Sequence, residues 1–212
     1  YGDVPLNKSM RTAQTNLKQN FGLVYEFETC DTLIQKIQHN MIKFKLEKNA
    51  ETAVEIFDLI QLWGGGMGVK KFYYSGTRFD LDTWLPQYLD FIYLISEQGI
   101  ERTVSISEAL TKLLSIHGLG MSFATKHLRF WSELPIFDDR ISLLLYSKKA
   151  KKVEHYLKFL SDVSDLSNHT GLKITTIETS LFAFSQHYFA NNKLEIISGS
   201  NKDKDFEIAQ II

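Results

Sequence analysis

Residues 113–141 carry the chain's most chemically suggestive run, LLSIHGLGMSFATKHLRFWSELPIFDDRI. An apolar helix end (Leu113, Leu114, Ile116) leads into a tight Gly118-Leu119-Gly120 turn. A second helix follows with Ala124 and Leu128 inward, and then Pro135-Ile136-Phe137 delivers Asp138. Glycines permit backbone conformations that a side chain forbids. They also leave N–H groups bare at a helix N-terminus, where a phosphate binds. Gly118, Gly120, Ser122 and Lys126 are therefore the candidate phosphate-binding residues, with a bridging monovalent or divalent cation at the hairpin as an option. A carboxylate twenty residues after the first glycine points to chemistry on whatever the phosphate carries. Each part also has an architectural reading. A Gly-x-Gly can be a plain interhelical turn, and Asp138-Asp139 can cap the helix that begins near Arg140.

A second constellation is Trp63-Gly64-Gly65-Gly66-Met67-Gly68, followed by Lys70, Lys71, Phe72, Tyr73 and Tyr74. Read as a flexible, basic, aromatic loop, it offers flat side chains for stacking on bases and cations for phosphates. Trp63, Lys70, Lys71, Tyr73 and Tyr74, with Arg140, are the candidate base or duplex contacts. The competing reading is a helix C-cap and packing turn. The run lacks the Gly-Lys-Ser/Thr ending of a P-loop. His117 and His127 read as surface or helix-end residues, and Trp84, Phe130 and Trp131 as core.

The hairpin Ile116-His117-Gly118-Leu119-Gly120-Met121-Ser122-Phe123-Ala124, with Pro135-Ile136-Phe137-Asp138-Asp139-Arg140-Ile141, resembles the helix-hairpin-helix DNA glycosylases. That family pairs L-x-G-h-G-x-x-x-A with a Pro- or Gly-rich loop and an essential Asp. The family's Asp is followed three residues later by an aliphatic one. Asp138 with Ile141 matches this spacing, whereas Asp139 would be followed by Ser142. The resemblance covers about thirty residues closely. It implies an all-α fold of two helical lobes with a cleft between them, and a base-excision enzyme acting on double-stranded DNA. Asp138 would be the catalytic carboxylate, stabilising the oxocarbenium character at C1′ that glycoside hydrolysis builds up. A nearby cation such as Arg140 would favour its charged form. Bifunctional relatives place a Schiff-base lysine where this chain has Ser122, which implies a monofunctional enzyme that uses water. Lys126, one helical turn on, is the candidate relocated nucleophile. The likeness is to bacterial 8-oxoguanine-glycosylase-like members, so the expected substrate is an oxidised purine, or a hypermodified phage base such as glucosylated hydroxymethylcytosine in antiviral defence. The alternatives are a non-catalytic helix-hairpin-helix DNA-binding module and a helical scaffold.

Composition bounds these readings. The 212 residues, 44% hydrophobic and 13% aromatic, suffice for one sizeable core or two small helical lobes. One cysteine, Cys30, excludes a disulfide framework and any four-cysteine iron–sulfur or zinc site. No resident metal is expected. A reducing, nucleoid-associated cytoplasmic setting and a monomer are expected; no apolar run reaches membrane-spanning length and no signal peptide is visible. The net charge of −1 hides an asymmetry: residues 117–152 hold seven Lys or Arg against three acids. Lys148, Lys149, Lys151 and Lys152 are either a phosphate-facing surface or a solvated helix end.

Apolar residues recur with helical spacing over 32–45, 50–62 and 81–96, then from Ser105 or Ser107 to 116, and over 121–131, 140–147, 153–164 and 176–190. Residues 1–28 are polar and are expected to lie extended. Residues 29–190 form the helical domain with the hairpin at 113–131, and 191–212 form a tail.

Overall fold

The computed structural model describes residues 4–97 and 103–192. Among them the chain is all-helical, apart from one isolated bridge between Pro5 and Thr29. The helices are α1 (Lys8–Phe21), α2 (Cys30–Glu47), α3 (Ala50–Gly64), α4 (Gly66–Tyr74), α5 (Leu81–Glu97), α6 (Thr103–Ser115), α7 (Met121–Ser132), α8 (Asp139–Tyr146), α9 (Val153–Thr170) and α10 (Ile174–Asn192), with a 3-10 turn at Thr77–Phe79. The chain divides into two compact units, Tyr1–His127 and Leu128–Ile212, the division falling inside α7.

Local chemistry explains most helix ends. Asn7, Thr29, Asn49 and Asp138 accept hydrogen bonds from first-turn N–H groups and start α1, α2, α3 and α8. Gly22 and Gly171 end α1 and α9 in the left-handed region, at φ 66° and 71°.

Two segments differ from the sequence expectation. Residues 8–21 are helix α1 and not an extended strand of chain. Its buried stripe is only Met10, Ala13 and Leu17, too sparse among polar residues to announce itself. The glycine run after Trp63 is not a flexible loop but the junction of two helices. α3 continues through Gly64, Gly65 turns at φ 87°, and α4 begins at Gly66. Glycine is a poor helix former, and packing overrides it here. α6 already contains Ser105 and Ser107, which were expected to cap it. The tail beyond Asn192 lies outside the described residues.

The first unit is built on Phe57 of α3. Its ring lies 4.8 Å from Phe72, 4.5 Å from Trp84, 4.9 Å from Tyr88 and 4.5 Å from His127, all of them fully buried. Next to Phe57 in α3, Asp58 is also fully buried. Arg78 grips it bidentately, Nε to Oδ1 and Nη2 to Oδ2, both at 2.7 Å. The Tyr25 hydroxyl donates to Oδ2 at 2.8 Å and the Tyr73 hydroxyl to Oδ1. Burial and the adjacent carboxylate push both phenols well above their ordinary range. The carboxylate thus ties the segment after α1, α3, α4 and the 3-10 turn into one body.

The second unit has its own aromatic stack. Phe137 lies nearly parallel on Phe159, 4.3 Å away, with Tyr146 edge-on at 5.9 Å. Tyr156, fully buried, donates to the Pro135 carbonyl at 3.0 Å. The expected core residues Ala124, Leu128, Trp84 and Trp131 are buried, and Phe130, next to Trp131, is half-buried.

Removing one partner of a buried, hydrogen-bonded ion pair strands the other. Asp58→Ala is expected to destabilise the first unit by about 3–5 kcal/mol, read as a lowered urea midpoint in circular dichroism. A midpoint matching wild type would show that the cluster carries no such weight.

Candidate functional site

Within the first unit, the hairpin and the glycine junction after Trp63 pack against each other. Gly118 takes φ 89°, and a Cβ there would stand 3.1 Å from both the Lys71 carbonyl oxygen and the Phe72 Cα of α4. The first hairpin glycine is therefore required by conformation and by the close approach of the α4 backbone. A Cβ on Gly64 would meet the Phe123 ring at 2.3 Å and Lys126 Cδ at 3.1 Å. The end of α3 thus packs under the outer face of α7.

Gly120 is different. It is exposed, and a Cβ there would meet nothing within 4 Å. Its carbonyl accepts from Phe123 N–H at 3.0 Å and Ala124 N–H at 2.9 Å, starting α7. The N–H groups of Gly120, Met121 and Ser122 find no acceptor among the described residues. Helix termini ordinarily leave such donors bare; of these three residues Gly120 is exposed, Ser122 half-buried and Met121 buried. Ser122 is half-buried, and its Oγ accepts from Lys126 Nζ at 3.2 Å. The same ammonium sits 4.1 Å from the centre of the Phe123 ring, a cation–π contact. Ser122 and Lys126 therefore lie together beside the bare turn, and Lys126 is held by a hydroxyl and a ring.

The remaining candidates of this unit separate by burial. Lys70 and Lys71 are exposed, and Trp63 is half-buried. Tyr74 is 57% exposed and edge-on to Phe21 at 5.1 Å. Tyr73 is only 1% exposed and bonds to Asp58, so its expected role as a base contact is corrected to a structural one. His127 is likewise no helix-end residue. It is fully buried, stacked on Phe57, and bonded to Gln61 at 3.1 Å and to the Tyr88 hydroxyl at 3.2 Å. Burial, with Lys126 nearby, pushes its pKa down to about 3.

The second unit holds Asp138 and Arg140. Asp138 is half-buried at the N-terminus of α8. Its Oδ1 accepts from Arg140 N–H at 3.0 Å and Ile141 N–H at 2.9 Å. Its Oδ2 has no hydrogen-bond partner among the described residues. The preceding Phe137, fully buried in the stack on Phe159, anchors the loop that carries it. The neighbouring Asp139 is exposed and paired with Lys149 at 2.8 Å. Arg140 is exposed. The two adjacent acids thus stand in different surroundings: one is fixed by backbone N–H groups, the other engaged with a lysine. Asp138 is the helix cap of the architectural reading, and that role uses only one of its oxygens.

Sequence reasoning missed a polar depression in the first unit, lined by Ser75, Thr77, Asp80, Thr83, Ser115 and His117. Its residues are scattered along the chain, and only Ser115 and His117 adjoin the hairpin motif. Among the described residues no group of three or more His, Cys, Asp or Glu could hold a metal ion, and no helix is long and apolar enough to cross a membrane. Comparison with protein-family models, curated proteins and solved structures finds no match for the chain.

Two predictions come from this geometry. Gly118→Ala is expected to cost about 1–3 kcal/mol, because it combines a disfavoured φ with a backbone clash. Gly120→Ala should change stability by only a few tenths of a kcal/mol, as expected when alanine and glycine are compared at a helix cap. Thermal unfolding of the two variants checks the contrast. For His127, the folded-state pKa lies below the unfolded value near 6.5. The unfolded chain therefore binds the proton first. This contribution is fully present above about pH 6.5 and is lost as pH falls toward about 3, at up to about 1.4 kcal/mol per pH unit. His127→Gln should flatten the acid limb of the stability profile over that window; an unchanged limb would contradict a neutral buried imidazole.

Proposed function

We propose that this protein is a DNA glycosylase that hydrolyses the N-glycosidic bond of a modified base in duplex DNA. The reading joins the helix-hairpin-helix resemblance to one observation: a carboxylate held rigidly through one oxygen while the other stays unbonded. A phosphate of the target strand would bind the bare N–H groups of Gly120, Met121 and Ser122, aided by Lys126. The target nucleotide would be flipped out of the stack. The C1′–N bond then breaks with its electron pair leaving on the base, which takes up a proton. Water adds to C1′, and its proton passes to Asp138 Oδ2. Before that transfer the carboxylate stabilises the positive charge on the sugar. Exposed Lys70, Lys71, Tyr74 and Arg140, with half-buried Trp63, remain candidates for duplex contact.

The substrate has to be a modified base, since an enzyme that removed ordinary bases would destroy its own genome. An oxidised purine such as 8-oxoguanine is the first choice, and glucosylated hydroxymethylcytosine of phage DNA the second. A non-catalytic DNA-binding module is the second reading of the whole chain, favoured by the sufficiency of the N-cap role as an explanation for Asp138.

The test is incubation with duplexes carrying modified bases and with phage DNA, followed by alkali cleavage and mass analysis of the released base. Release without strand cleavage is expected, and borohydride should trap no protein–DNA adduct. Asp138→Asn should slow single-turnover release by on the order of 10² or more with duplex affinity unchanged. Loss in Asp139→Asn instead would move the catalytic role by one residue. An adduct that vanishes in Lys126→Ala would make Lys126 a nucleophile. Gly120→Val, whose Cβ would meet nothing within 4 Å, should weaken binding to all duplexes alike. Release from no substrate, with duplex binding intact, would leave the binding module.

A further inference from the structure

Between α8 and α9 the chain places four lysines in five residues, Lys148, Lys149, Lys151 and Lys152, around the buried Ala150. This segment is not a solvated helix end. α8 closes at Ser147 in the left-handed region, φ 55°, and α9 begins only after Lys152. The loop is fixed by its backbone: Ser142 Oγ donates to the Lys148 carbonyl, and Lys151 N–H donates to His155 Nδ1 at 3.2 Å. Lys149, Lys151 and Lys152 are exposed.

The charges are concentrated, and one of them is badly placed for stability. Lys152 is the N-cap of an 18-residue helix and makes no capping bond, although a cation there opposes the helix dipole. Burial and the charges of Lys148 and Lys152 push the His155 pKa below its ordinary value, against the opposite pull of Glu154. Asp139 pairs with Lys149 and Glu154 acts on His155 from the first turn of α9, while residues 148–152 themselves hold no acid. Lys149 reaches Asp139 at 2.8 Å, which brings the loop beside the start of α8, where Asp138 sits. A preorganised cationic loop at a helix N-terminus suits a closely spaced row of anions.

We infer that the α8–α9 loop binds the phosphate backbone of duplex DNA flanking the nucleotide presented to Asp138, with Lys151 and Lys152 as its main contacts and Lys148 and Lys149 beside them. This rests on the glycosylase reading and adds to it a phosphate-binding surface outside the hairpin.

The experiment is fluorescence anisotropy with a fluorescein-labelled 25-base-pair duplex of ordinary DNA from 50 to 200 mM NaCl. It compares wild type, Lys151→Gln/Lys152→Gln, Lys151→Arg/Lys152→Arg, and a charge-matched control in α2, Lys43→Gln/Lys45→Gln. Each lost phosphate contact should reduce the slope of log affinity against log salt by about 0.9. The glutamine loop variant is expected to lose nearly twice that and to bind on the order of 10-fold more weakly at low salt, while the arginine variant and the α2 control keep the wild-type slope. Equal slopes in the loop and α2 variants, with wild type still binding steeply and releasing base, would overturn the loop assignment alone. A wild-type chain that neither binds duplex nor releases base would overturn the glycosylase reading, and the loop with it.

Discussion

The buried Asp58 carboxylate is the constraint on which the first unit depends. An unpaired carboxylate in such a place would be strongly disfavoured, so the surrounding chain must bring donors to it. Arg78 supplies two, Tyr25 and Tyr73 one each. These come from three separate stretches, so satisfying one side chain fixes the relative placement of α3, α4 and the segment between α1 and α2. α4 is the element whose backbone lies under Gly118. The position of the hairpin turn is therefore set by a buried polar group several residues away, and not by the turn's own sequence alone.

This changes what the hairpin glycines mean. Both are glycine, yet for different reasons. Gly118 is dictated by left-handed backbone and by the α4 backbone pressed against it, which holds whatever the protein binds. Gly120 has neither constraint: its surroundings are open and its φ is not in the left-handed region. Gly120 starts α7, where glycine is an acceptable N-cap, and the open space around it is also what the proposed phosphate approach to the α7 N-terminus would need.

Helices α2, α3, α5 and α7 to α9 are legible from apolar spacing because each buries a stripe of large side chains. α1 and α4 are not, one because its stripe is three residues of mixed size, the other because its glycines argue against any helix. The hairpin turn and Asp138's place before α8 were readable, since glycine turns and acidic caps are local. The burial of Asp58, Tyr73 and His127 was not. Each is a polar residue whose partner lies between 15 and 66 positions away, and no local pattern encodes such a partner. Reading Tyr73 as a base-stacking residue failed for this reason: an aromatic beside lysines looks exposed unless one knows that a carboxylate waits inside.

At Asp138 the architectural role and the proposed chemical one need not compete. An N-cap carboxylate is held in place by the helix it starts, and its orientation is set without side-chain partners that would have to move during a reaction. The two N–H donors converge on Oδ1, and the buried Phe137 restrains the backbone just before it. Catalysis by a fixed charge benefits from this kind of rigidity, because no reorganisation is needed as charge develops on the substrate. A carboxylate placed only for capping would do as well if it were fully exposed on a mobile loop; one tied to a stacked aromatic is more tightly held than the cap requires. An asparagine at this position would still accept the capping bonds through its carbonyl oxygen, because asparagine and aspartate cap about equally well. The cap therefore explains why an acceptor stands before α8; the negative charge suits the positive end of the α8 dipole and, in the proposed reaction, the cation that would form beside Oδ2.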